Sequence, residues 1–146
     1  MRRVHLSLAS HYEAIDLVDL VTEACLRYVG FDETICEHMT LAIREAAANA
    51  IKHGNKQRSD KTAQVVFDIG EEFITIEIHD EGDGFVPEEV PDPLAPENIL
   101  KGAGRGIFLM RQLMDEVDFS FDGGTHVRLR KKIPIEVEEP AGEDEE

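Results

Sequence analysis

The sequence has no tryptophan, only two cysteines and no long apolar run. A membrane-spanning helix needs about 20 consecutive apolar residues, and the N-terminal stretch MRRVHLSLAS lacks the apolar core and cleavage site of a signal peptide. One disulfide between Cys25 and Cys36 is possible, but two reduced thiols are favoured in this setting. No histidine pair has the spacing of a zinc site. We therefore expect a cytoplasmic protein.

Basic residues are scarce, with 15 Lys and Arg against 31 Asp and Glu and a net charge of −16. Seven of the acids and no base lie in residues 136–146, which leaves about −9 on the rest of the chain. Such a charge repels the phosphates of nucleic acids, so a direct nucleic-acid ligand is not expected. We predict one domain over residues 1–135 and an acidic, disordered tail over 136–146.

Apolar periodicity alternates between the spacing of strands and that of helices. The predicted order is an edge strand at 2–10, helices from Tyr12 to Tyr28 and from the Asp32 cap to Gly54, strands at 63–70 and 73–80, a long loop at 81–106, a short helix from Gly106, and strands at 116–121 and 125–133. Because the helices are clustered, we predict an α+β two-layer sandwich, a mixed sheet with helices on one face. A parallel doubly wound fold is disfavoured, since three connections are too short for crossovers.

The second predicted helix carries a polar stripe beside its alanines. Glu45 and Asn49 are four residues apart and Lys52 is three further on, so all three project from one helical face. The small alanines would let a bulky group approach the helix backbone. An ordinary solvated face, with a stabilising contact between Glu45 and Asn49, explains the same pattern.

Asp80 continues the apolar face of the strand that precedes it, the face of Ile74, Ile76 and Ile78. A carboxylate on that side needs a partner or a cavity mouth, and it could accept a hydrogen bond from an amino group such as that of adenine. Gly82 and Gly84 follow, and glycines allow close approach of a ligand to the backbone. An ordinary turn is the alternative, whereas a calcium loop would need carboxylates where the glycines stand.

Three alternating glycines, Gly102, Gly104 and Gly106, stand directly before a predicted helix. Bare amides at a helix N-terminus suit phosphate oxygens, and Lys101 and Arg105 add positive charge. A flexible hinge would have the same composition. The run is neither a Walker A loop nor a Rossmann fingerprint, because the lysine spacing and the preceding strand are missing.

These motifs, taken in order, resemble those of the GHKL ATPase superfamily, which includes gyrase, Hsp90, histidine kinases and MutL. Within it, the chain is similar to the small bacterial anti-sigma-factor serine kinases. The matching segments are EAAANAIKHG, DEGDGF, GAGRGIFLMRQLMDEV and GGTHVRLRK. The resemblance extends over roughly residues 3–132 and implies a GHKL-type ATP-binding kinase domain in the 1–135 segment.

The resemblance implies a role for each matching residue of the second helix. Asn49 would ligate the Mg²⁺ that bridges the phosphates of ATP, and Glu45 would be the general base or would position the attacking hydroxyl. Lys52 stands where the histidine-kinase branch often has a phosphate-contacting lysine. Ala48 is a departure, because some members of the family have a hydroxyl residue at this position.

The remaining motifs would form the rest of the ATP pocket. Asp80 would bind the adenine amino group, with Gly82 and Gly84 in the pocket floor and the Thr125 hydroxyl near the base. The phosphates would meet the glycine-rich run and its flanking charges, which are Lys101, Gly102, Gly104, Arg105 and Gly106.

The family implies that the protein phosphorylates a serine of a STAS-type anti-anti-sigma protein with Mg-ATP and sequesters a sigma factor, as a homodimer. Its first strand and first helix would form the dimer or sigma-facing surface. A non-catalytic module that senses ATP and switches a partner is the main alternative. The ATPase part of a histidine kinase is disfavoured, because no phosphoacceptor helical hairpin is evident.

Overall fold

The alternating apolar residues form strands where the sequence predicts them. A computed structural model of the protein describes residues 2–54, 58, 60–82, 110–121 and 123–134. The elements are β1 (Arg2–Ala9), α1 (Ala14–Tyr28), α2 (Glu33–Asn49), a π-helical turn (Ala50–Gly54), β2 (Thr62–Ile69), β3 (Phe73–His79), β4 (Glu116–Phe121) and β5 (Thr125–Lys132). Residues 110–113 are also helical. Most of the predicted 81–106 loop, the start of the predicted helix at Gly106 and the tail lie outside the described residues.

The five strands form one sheet in the order β1-β2-β3-β5-β4, so β1 is an edge strand as predicted. All four strand pairs in the described residues are antiparallel. The α+β two-layer class is confirmed, but the expectation of a mixed sheet is wrong. Two pairs are tight hairpins. The path from β1 through α1 and α2 to β2 reverses direction three times, at each of its joints, so β2 runs opposite to β1.

One face of the sheet is apolar and forms the core against the helices. Paired residues across the strands keep this face in register, for example Val65 with Ile78 and Ile78 with Val127. The sheet residues that are buried on this side are Leu8, Ala63, Val65, Phe67, Ile74, Ile76, Ile78, Val127 and Leu129. Alternate residues of β2, β3 and β5 are therefore buried on this face, and a slip of one residue would expose them.

The opposite face of the sheet is polar. One row that crosses all five strands consists of Arg3, Asp68, Thr75, Arg130 and Glu116. Within it the Arg3 guanidinium donates to the Asp68 carboxylate at 2.6 Å, and Arg130 donates to Glu116 at 3.0 Å. Cross-strand pairs of opposite charge favour this register of an antiparallel sheet.

The helical hairpin of α1 and α2 covers the apolar face. Its turn contains Gly30 at φ +95°, a left-handed conformation that favours glycine and is common where a helix ends. Asp32 caps α2 as predicted, because its Oδ1 accepts from the Ile35 N–H at 2.9 Å. Arg44 of α2 also pairs with Asp19 of α1.

Both cysteines lie in the helical layer as free thiols. Cys25 and Cys36 are buried among the helix residues that meet the sheet. Burial raises the pKa of each thiol above its ordinary value, so both stay protonated at neutral pH. Among the described helices, none combines the length and apolar character required to cross a bilayer.

Replacing the α2 cap tests how the helical layer is held. We expect Asp32→Ala to lower the free energy of unfolding by about 1 kcal/mol, because the Ile35 N–H loses its acceptor. Asp32→Asn retains a side-chain oxygen and should lie close to the wild type. Urea denaturation followed by circular dichroism measures both, and equal stability of the two variants would contradict the capping role.

Candidate nucleotide site

The chain reversals bring the candidate residues to one end of the sandwich. The end of β1 and the start of β2 meet there, since the Ser10 hydroxyl donates to the Lys61 carbonyl at 2.7 Å. The end of α1 lies at the opposite end, where the guanidinium of Arg2 stands 5.3 Å from the centre of the Tyr28 ring. The second helix therefore returns to the first end.

Three segments with predicted site residues converge at this end. The second helix ends at Asn49, β3 ends just before Asp80, and β5, which runs opposite to β3, begins at Thr125. We call this end of the sandwich, defined by Asn49, Asp80 and Thr125, the Asp80 end.

Asp80 has the geometry that its sequence position predicts. Its side chain is only 2% exposed, on the face of the buried isoleucines of β3. Its Oδ1 accepts two backbone hydrogen bonds, from the Gly82 N–H at 2.9 Å and the Thr125 N–H at 3.0 Å. Its own N–H donates to the Thr125 carbonyl at 3.1 Å, so backbone and side chain are tied to β5 together.

The second carboxylate oxygen of Asp80 has no hydrogen-bond donor among the residues that the structure describes. A carboxylate can accept at both oxygens, and a buried one that does so gains more than a neutral acceptor would. A carboxylate oxygen in this position suits an amino group that donates. The exocyclic amine of adenine is such a donor.

On the second helix, Glu45 and Asn49 are half-buried, as a pocket edge requires, whereas Lys52 is exposed. Lys52 belongs to the π-helical turn that follows Asn49. The α-helix therefore ends before Lys52. Because a π turn holds more residues than an α turn, the α-helical spacing that predicts one stripe does not apply to Lys52, and its role stays a prediction.

The other predicted residues divide into two groups. Gly82 and Thr125 are half-buried and both meet Asp80 through their amides, as described above. Six predicted residues lie outside the described part of the chain, and their roles stay predictions: Gly84, Lys101, Gly102, Gly104, Arg105 and Gly106.

Sequence reasoning placed Gly124 within the matching segment GGTHVRLRK and gave it no role of its own. The structure buries Gly124 against the backbone of Asp80. The only signal in the sequence was the doubled glycine next to Thr125, which does not distinguish a turn glycine from one that another segment approaches closely.

Comparisons with known proteins agree with this geometry. Residues 8–131 match the family model of the histidine kinase-like ATPase domain. Two serine-protein kinases RsbW of Staphylococcus aureus, from strains bovine RF122 / ET3-1 and JH9, are each 30% identical over 140 residues, which is 91% of this chain and 88% of theirs. The chain therefore belongs to the histidine kinase-like ATPase domain family and, within it, to the RsbW serine-protein kinases. The resemblance noted from the motifs is confirmed.

A solved structure shows the same fold. The RsbU and RsbW domains of Rv1364c from Mycobacterium tuberculosis match with a TM-score of 0.66 at 18% identity. The match covers 91% of this chain and 33% of that one, so the chain spans about a third of that protein.

The double role of Asp80 Oδ1 leads to a stability prediction. We expect Asp80→Ala to lower the free energy of unfolding by about 1 to 3 kcal/mol, because two backbone N–H groups lose their acceptor. Asp80→Asn keeps the oxygen that faces those amides and should lose less. Chemical denaturation of the two variants measures this difference, and an equal loss would show that the amides do not depend on this acceptor.

Proposed function

We propose that the protein uses Mg-ATP to phosphorylate a serine of a STAS-type anti-anti-sigma protein, and that it sequesters a sigma factor in its other state. One observation carries the proposal: a buried carboxylate, one oxygen of which has no donor among the described residues, lies at the same end of the sandwich as Glu45 and Asn49. The Asp80 carboxylate would recognise the base, and Glu45 and Asn49 would act at the phosphates.

The acidic body of the protein makes the metal important for this function. Phosphates approaching a chain of net charge −16 are repelled unless cations or backbone amides compensate. The side-chain oxygen of Asn49 fits a hard cation such as Mg²⁺, which prefers oxygen ligands. A bound Mg²⁺ neutralises charge on the phosphates, and Lys52 and the predicted phosphate-binding segment, with Lys101 and Arg105, would add donors and positive charge.

Glu45 would act on the acceptor serine. Its half-buried carboxylate lies one helical turn before Asn49, so a group held near the terminal phosphate would lie within its reach. As the serine oxygen bonds to the γ-phosphorus and the bond to the ADP oxygen breaks, the serine proton passes to Glu45. Phosphoryl transfer depends chiefly on such positioning and on charge neutralisation.

The partner surface would lie on the first strand and first helix. Helix α1 exposes the large apolar side chains of Leu17 at 55% and Leu20 at 63%, and β1 is an edge strand. Exposed apolar groups of this kind suit a protein partner. We infer a cytoplasmic homodimer that binds the sigma factor and the STAS protein, and the acidic charge speaks against nucleic acid as a direct ligand.

A non-catalytic ATP-sensing module remains the second candidate, because the Asp80 geometry serves binding as well as catalysis. In such a module, nucleotide would change the affinity for a partner without phosphoryl transfer. The role of Glu45 separates the two functions.

We expect Glu45→Ala to slow phosphoryl transfer by about 10²- to 10⁴-fold while ATP affinity stays near the wild-type value, because the base acts only in the reaction. The measurement is incorporation of labelled γ-phosphate into purified STAS proteins in the presence of Mg²⁺. Glu37→Ala, an exposed position two turns earlier on the same helix, is the matched control. Absence of transfer by the wild type to every STAS protein would favour the sensing module.

We expect Asp80→Asn to weaken ATP binding by about ten- to a hundredfold, the effect of losing a hydrogen bond to a charged acceptor. In the variant, the amide oxygen of the new side chain would face the two backbone amides, and its NH₂ group would replace Oδ2. That NH₂ group and the adenine amine are both donors, so no hydrogen bond forms between them. The same NH₂ suits the C6 carbonyl of ITP, and ITP should bind the variant better than ATP does. Calorimetric titration measures both nucleotides, and unchanged ATP affinity would contradict the base-pocket assignment.

A further inference from the structure

Two glycines in left-handed conformations form the turn between β4 and β5. Gly123 has φ +68° and Gly124 has φ +134°, so a side chain strains the backbone at either position. They differ in their surroundings, since Gly123 is exposed and Gly124 is buried. Substitutions at these two positions therefore separate the effect of a strained backbone conformation from the effect of a close contact.

A Cβ atom added at Gly124 would overlap with Asp80. It would lie 2.2 Å from the Asp80 carbonyl oxygen, 2.9 Å from Oδ1 and 3.0 Å from the carbonyl carbon. A Cβ atom added at Gly123 meets nothing within 4 Å. Two of the three contacts are backbone atoms, which cannot rotate away as a flexible side chain would.

Asp80 cannot shift without losing the contacts that orient its carboxylate. Its N–H bonds to the Thr125 carbonyl at 3.1 Å, and its Oδ1 accepts from the Thr125 N–H at 3.0 Å. Both contacts involve the residue directly after Gly124. A side chain at Gly124 would push the Asp80 segment away from β5, and the carboxylate would move with it.

We propose that Gly124 is a positioning residue for base recognition: the absence of a side chain there holds the Asp80 carboxylate with Oδ1 on the backbone amides and Oδ2 toward the base. The inference rests on the proposed function, in which that oxygen accepts from the adenine amine. Gly124 thus sets the preference for adenine over a purine with a carbonyl at C6, without touching the nucleotide.

The test compares ATP and ITP on the full chain with Mg²⁺. In Gly124→Ala we expect the preference for ATP over ITP to fall by about ten- to a hundredfold, the value of one hydrogen bond to a charged acceptor. Gly123→Ala imposes the left-handed strain without the overlap and should keep the wild-type preference. A merely structural defect would lower both affinities together and leave their ratio unchanged.

An Asp80→Ala background checks the route of the effect. In that background, adding Gly124→Ala should not change the ratio of ATP affinity to ITP affinity any further. If Gly124 acts only through the Asp80 carboxylate, its effect disappears once that carboxylate is removed. The proposal is overturned if Gly124→Ala keeps the wild-type ratio, or if both glycine variants lose it equally. A wild type without preference for ATP would instead refute the base-pocket assignment within the proposed function.

Should Gly124→Ala not fold, amide hydrogen exchange of the wild type decides the matter. The proposal requires slow exchange of the Thr125 and Gly82 amides before any nucleotide is added, since the carboxylate is held by the fold. Protection that arises only after ATP is added would show that the ligand, and not Gly124, orients Asp80.

Discussion

The whole arrangement depends on burial of a single face of the sheet. Because all strands are antiparallel, their apolar residues share one side, and the helical hairpin covers that side. The same hairpin returns the chain to the end where β3 finishes. Consequently the constraint that builds the core also places the polar residues Glu45 and Asn49 at the end where Asp80 lies.

Asp80 shows how a buried charge is accommodated at such a site. A carboxylate on the apolar face would be costly if it had no donors. Two backbone amides donate to one of its oxygens, and the Asp80 N–H bonds to the Thr125 carbonyl of β5. The carboxylate is thus oriented by the fold itself, so base recognition of the kind proposed would need little reorganisation of the pocket.

Local patterns in the sequence predict the parts of the structure that depend on neighbouring residues. The alternation of Ile74, Ile76 and Ile78 predicts both a strand and the unusual side of Asp80, and the Asp32 cap follows from residue type. The antiparallel direction of every pair and the contact at Gly124 depend on segments far apart in the chain, which periodicity does not report. The π-helical turn that contains Lys52 likewise has no signature in the spacing of its residues.

The contact between Asp80 and Thr125 lies on a seam between two hairpins, one formed by β2 and β3 and the other by β4 and β5. Each hairpin joins residues that are near in sequence, whereas the seam joins residues 45 positions apart and must form after the hairpins can meet. In terms of folding, the proposed base-recognition site therefore does not exist in either hairpin alone. A nucleotide bound there would stabilise only forms of the protein in which the two hairpins have met, so its binding energy would act on the joining of the hairpins and not on the formation of either one.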